Sequence, residues 1–130
     1  MLGTFQQSNL RVEVEASEAI IRDCLLQPDK LRQWMMPARL PEGLPDVLKV
    51  GDTFTSWLGP ISVRHQVQSV DGNSLCLLLS QGIDGYHQWY WGDGWIQSSL
   101  AGVSVLPLSL GQTLSLINLK RWLSTDHTGS

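Results

Sequence analysis

The stretch from Trp95 to Leu123 reads WIQSSLAGVSVLPLSLGQTLSLINLKRWL. Its first part, Trp95 to Leu106, is a charge-free run that predicts a strand. Pro107 stops the strand, and Leu108 to Leu123 predicts a helix. At about 100° per residue, Leu110, Leu114 and Ile117 form one stripe on that helix. Leu108, Leu116, Leu119 and Leu123 form a second. A surface helix needs only one apolar stripe. Two stripes fit a helix gripped by a curved sheet, with one side seated and the other facing an enclosed space or the first helix. Gly111, Ser115 and Asn118 make a line of small residues between the stripes. Lys120 and Arg121 come only in the last turns, where cations suit the helix dipole.

The strand before this stretch is aromatic. Tyr86 to Trp91 alternates Tyr86, Gln88 and Tyr90 with His87, Trp89 and Trp91. Gly92-Asp93-Gly94 reads as a three-residue turn, which sets Trp91 opposite Trp95, Tyr90 opposite Ile96 and Gln88 opposite Ser98. Alternation alone does not choose the inner face. Polar tips beside the small Ser98 favour Tyr86, Gln88 and Tyr90 pointing inward. His87, Trp89, Trp91 and Trp95 then form an exposed tryptophan patch suited to a partner or a homodimer.

Further upstream, strand follows strand. Gly51 to Leu58 is one, turned by Gly59-Pro60. Ile61, Val63, His65 and Val67 alternate with Ser62, Arg64, Gln66 and Gln68, the cleanest period-two pattern in the chain. Asp71-Gly72-Asn73 predicts a hairpin turn. Leu75 to Ser80 is apolar on both faces, as in a strand covered from both sides, and Gln81 to Gly85 turns again. The chain begins with a strand, Phe5 to Glu15, and a helix, Ser17 to Leu26, capped by Ser17. A short second helix runs from Asp29, as its cap, to about Met35. Pro37, Pro41 and Pro45 make 37–48 an irregular loop of the kind that covers a site. The order is strand, two short helices, meander, helix. That is an α+β layout with helices on one side of an antiparallel sheet.

Composition narrows the function classes. The 130 residues are 42% hydrophobic and 16% charged, with a net charge of −3. Fourteen of the 21 charged side chains precede Thr53, and none lies between Gly94 and Leu119. No basic cluster is present, so nucleic acid is not an expected partner. Pro107 and the interspersed Gly, Ser and Gln residues argue against an integral membrane segment in the uncharged run. Met1 to Asn9 lacks the charge and apolar core of a signal peptide, and a cytoplasmic location is expected. Cys24 and Cys76 lie in apolar patterns and read as buried free thiols. No metal and no cofactor are expected, since no third ligand accompanies His65 and His87.

Gln27-Pro28-Asp29-Lys30-Leu31-Arg32-Gln33-Trp34, then Val50-Gly51-Asp52-Thr53-Phe54, then the meander and last helix, resemble the START-like, helix-grip (SRPBCC) superfamily. That superfamily includes polyketide cyclase/dehydrase-like proteins, the birch-pollen-allergen group and lipid-transfer domains. The ending from Gly92-Asp93-Gly94-Trp95 through Leu106-Pro107-Leu108 to Leu114 is similar to a small branch found in cyanobacteria and other photosynthetic organisms. The length fits a single domain over 1–123, and the short polar composition of 124–130 reads as a flexible tail. The resemblance implies a curved antiparallel sheet of about six strands around a long C-terminal helix, enclosing a cavity for small apolar ligands.

Within that frame, His65 sits on the apolar phase of its strand and is the candidate catalytic residue. Its structural reading is a buried histidine hydrogen-bonded to a neighbour. The expected ligand-binding set is Trp34, Met35, His65, Tyr86, Gln88, Tyr90, Leu114 and Ile117, with Trp34, Met35 and Met36 at the cavity rim. The leading functional expectation is a binding or carrier domain for a lipid, isoprenoid or pigment-like molecule. One alternative is a cyclase or dehydratase using His65 with a tyrosine. The other is an interaction module using the tryptophan face.

Overall fold

The computed structural model describes residues 3–35, 38–104 and 107–124. Six strands form one antiparallel sheet in the order β1-β6-β5-β4-β3-β2. In the chain, β1 (Thr4–Glu13) precedes two helices, α1 (Glu18–Leu26) and α2 (Pro28–Trp34). The meander follows as β2 (Thr53–Leu58), β3 (Ile61–Val70), β4 (Ser74–Gln81), β5 (Asp84–Gly92) and β6 (Trp95–Ser104). The final helix, α3, spans Leu108–Ser124 and crosses the inner face of the sheet, against β1 and β6. This is the α+β helix-grip architecture expected from the sequence. Val105, Leu106 and the tail 125–130 lie outside the described residues, as do Met36 and Pro37.

Local chemistry explains the element ends. Ser17 caps α1, its Oγ accepting from the Ile20 amide at 3.4 Å. Asp93 adds a cap from far along the chain, its Oδ1 accepting from the Glu18 amide at 2.7 Å. Asp93 therefore ties the β5–β6 turn to α1 as well as forming the turn. The second helix starts one residue earlier than expected, because Pro28 takes its first position, where a missing N–H costs nothing. Asp29 does not cap it; its carboxylate pairs with Arg32 at 3.0 Å.

Three expectations are corrected by the sheet. Gly92 pairs directly with Trp95, so the β5–β6 turn has two residues, not three. The Trp95 indole covers Gly92 so closely that a Cβ there would lie 2.6 Å from its Nε1. Gly92 is thus a strand glycine beneath an aromatic ring, not a turn residue. Every β5–β6 pair moves by one, and Tyr90 faces Gln97 while Gln88 faces Ser99. Second, β4 is covered on one side only: Leu75, Leu77 and Leu79 are buried, while Cys76 and Leu78 are half-buried on the face without helices. Third, β4 and β5 approach each other more tightly than read, leaving Gly82 and Ile83 between them.

Gly85 and Gly102 pair across β5 and β6, and a Cβ on Gly85 would lie 2.0 Å from the Ala101 carbonyl oxygen. The two backbones can run this close only without side chains.

The core lies between the inner sheet face and the three helices, and includes Ile21, Leu25, Trp34, Trp89, Trp91, Ile96, Leu116 and Leu119. Leu108, Gln112, Leu116, Leu119 and Leu123 are the buried residues of α3. The other expected stripe, Leu110, Leu114 and Ile117, is exposed, with Leu114 54% accessible. It faces outward because the curved sheet meets one side of α3 only. No helix among the described residues is long and apolar enough to cross a membrane.

Candidate functional site

Alternation on β3 points Val63, His65 and Val67 inward, and β4 adds Leu75, Leu77 and Leu79. On β5 the inward set is His87, Trp89 and Trp91, the reverse of the sequence expectation. These strands, α2, α3 and the 38–52 loop enclose a cavity of about 240 Å³. Its apolar wall is dominated by leucines, with Ile, Val, Phe, Met and Trp, and no Lys, Arg, Asp or Glu lines it among the described residues. Trp34 and Trp89 meet edge to face at 6.0 Å, and the Trp34 indole donates to the Cys24 carbonyl at 2.9 Å. Ala38 and Leu48 bring the proline-rich loop to the cavity, as expected of a covering segment.

The polar content of the cavity is concentrated in two groups. In the first, His65 stacks on Phe54, its cross-strand partner, with ring centroids 4.6 Å apart. Its Nε2 lies 3.0 Å from Ser56 Oγ, and its buried Nδ1 has no hydrogen-bond partner. The second group spans β5, β6 and α3. His87 Nε2 lies 2.7 Å from Ser98 Oγ. The Gln112 amide nitrogen donates to the Ser98 carbonyl at 2.8 Å, to Ser98 Oγ at 2.9 Å and to the Ser8 carbonyl at 3.2 Å. The two hydrogens of the Gln112 amide nitrogen are shared among these three acceptors, and one hydrogen joins Ser98 Oγ to His87 Nε2, its direction set by the His87 tautomer.

Electrostatics keeps this cavity neutral. Burial pushes His65 down from its ordinary 6.5 to about 4. Burial pushes His87 down to about 3, with the neighbouring His65 adding to the shift. Both imidazoles are uncharged at neutral pH. Burial also pushes the free Cys24 thiol up to about 12, which removes it as a nucleophile. No group of three or more metal-ligating side chains occurs among the described residues.

Of the eight residues expected to bind a ligand, Trp34, Met35 and His65 line the cavity. Tyr86, Gln88 and Tyr90 do not: the one-residue shift at Gly92 turns them to the outer face, where Tyr86 is 52% exposed and Tyr90 donates to Gln88 at 2.8 Å. Leu114 and Ile117 are on the outer side of α3. The expected His65–tyrosine pair is therefore not assembled, since no tyrosine lines the cavity among the described residues. Nor do Trp89, Trp91 and Trp95 form the expected exposed patch: Trp89 and Trp91 are core residues, and Trp95 lies beneath the Arg11 guanidinium at 4.3 Å.

His87 and Gln112 are site residues that the sequence reading missed. Gln112 had a signal: it lies four residues from Leu108 and four from Leu116, on the buried stripe. His87 had none apart from the register of its hairpin.

A second, more open groove of about 460 Å³ runs between β1 and α3, lined by Leu10, Val12 and Ile117 with Arg11, Lys120 and Arg121. It has none of the buried unpartnered polar atoms found on residues lining the first cavity.

No protein-family model and no curated protein sequence matches this chain. Solved structures do match its fold. A Chromobacterium violaceum protein superposes with a TM-score of 0.73 at 15% identity, over 92% of this chain and 98% of the other. The Aha1 dimer from Colwellia psychrerythraea gives 0.66 at 16% identity, over 94% and 98%. Ginseng major latex-like protein 151 from Panax ginseng gives 0.63 at 9% identity, over 93% and 99%.

Proposed function

We propose that this chain, with the helix-grip fold of the START-like superfamily, is a binding or carrier domain for a small apolar molecule of lipid, isoprenoid or related type. The observation that carries the reading is the cavity itself: about 240 Å³, walled by aliphatic and aromatic side chains and free of charged ones. That volume is at the small end for ligand pockets, so it suits a compact ring system or a short chain better than a large pigment. A cytoplasmic setting goes with the two free thiols.

Naphthalene is a suitable probe, because Trp34 and Trp89 line the cavity and report occupancy through their emission. Titration is expected to change tryptophan fluorescence saturably. It should also raise the melting temperature as ligand concentration passes the dissociation constant. A flat titration with no thermal shift, for naphthalene and for its hydroxyl, methoxy and carboxylate derivatives alike, would reject the reading.

A further inference from the structure

We propose that this cavity selects a neutral ligand whose polar end is a hydroxyl, an alcohol or phenol, held by donation to Gln112 Oε1, over the corresponding ether or carboxylate. The inference rests on the ligand-binding reading above and adds the chemistry of the ligand's head.

Gln112 is 3% exposed, and its amide orientation is fixed by its neighbours. Two backbone carbonyls, of Ser8 and Ser98, face its side-chain nitrogen. A flipped amide would set oxygen against oxygen at both contacts, so Nε2 must lie on the strand side. Oε1 is thereby turned away from the strands, buried and without a partner, on a side chain that lines the cavity. A buried amide oxygen can be satisfied only by a donor, and leaving it unmet is costly.

His65, 8% exposed, offers a second unpartnered atom, Nδ1, in the same cavity. Its Nε2 faces a serine hydroxyl, which can donate or accept, so Nδ1 can take either role. A hydroxyl, which donates and accepts, meets the demand of either atom. An ether or ketone cannot serve Oε1. A carboxylate meets no cation on this wall and would place its charge against an amide oxygen.

The test is calorimetric titration of the intact protein at neutral pH with naphthalene, naphthol, methoxynaphthalene and naphthoate. Naphthol is expected to bind about tenfold more tightly than both the smaller naphthalene and the larger methoxynaphthalene, which separates donation from size. Naphthoate should bind at least about tenfold more weakly than naphthol. In Gln112→Met the ratio of naphthol to methoxynaphthalene affinity should fall to about one. The wild-type series decides the matter even if that variant fails to fold. Equal affinity for naphthol and methoxynaphthalene, or tightest binding of naphthoate, would overturn the hydroxyl assignment while leaving the binding reading intact. Absence of binding by all four would overturn both.

Discussion

Strands β3 and β5 do the same work and differ in how they announce it. Each sends a histidine to the cavity, His65 from one and His87 from the other, with β4 between them. On β3 the outward phase holds Arg64, Gln66 and Gln68, so water marks one face and the core takes the other. On β5 both phases are aromatic or amphipathic, and neither face is marked. The face of β5 then depends on register alone, and register depends on whether Gly92 belongs to the turn or to the strand. A single glycine, lying beneath the Trp95 ring, decides which six side chains point where.

The largest effect that could break this comparison is in the core. Trp91 is 1% exposed, and Trp91→Ala should cost about 3–5 kcal/mol in urea unfolding. Tyr86→Ala on the opposite face should cost less than about 1 kcal/mol. The three-residue turn would give the reverse order, so this pair of variants reports the face of β5 directly.

A smaller effect concerns the two histidines. The folded values near about 4 for His65 and about 3 for His87 lie below the ordinary 6.5. The unfolded chain therefore binds more protons through this window. The stability from the neutral imidazoles is complete above pH 6.5 and is lost as pH falls through the folded values. Between pH 7 and pH 5 the loss should be roughly 2 kcal/mol for each histidine. Either His65→Gln or His87→Gln should reduce the slope of stability against pH by about one proton. An unchanged slope in His87→Gln would return that ring to the outer face and sharpen the difference between the strands into a real asymmetry.

The same contrast explains what was legible elsewhere. Element order, the meander and the C-terminal helix follow from turns and periodicity, which are local, and the structure has them. His65, Trp34 and Met35 reach the cavity because their own patterns specify a face. The α3 stripe of Leu110, Leu114 and Ile117 misled because apolarity shows that a residue can be buried, not that a neighbour is there to bury it. Its exposure is a matter of how far the sheet curls, which no local pattern encodes. Gln112 was passed over for the opposite reason: a polar residue on a buried stripe reads as an interruption until Ser8 and Ser98 are seen to hold its amide.

The central claim is that the enclosed cavity, not the groove outside α3, receives the ligand. Nuclear Overhauser contacts between bound naphthalene and the protein test it most directly. Contacts are expected to the Leu77 methyls and to the rings of His87 and Trp89. Contacts confined to Leu10, Val12 and Ile117 would place the ligand in the outer groove and contradict it.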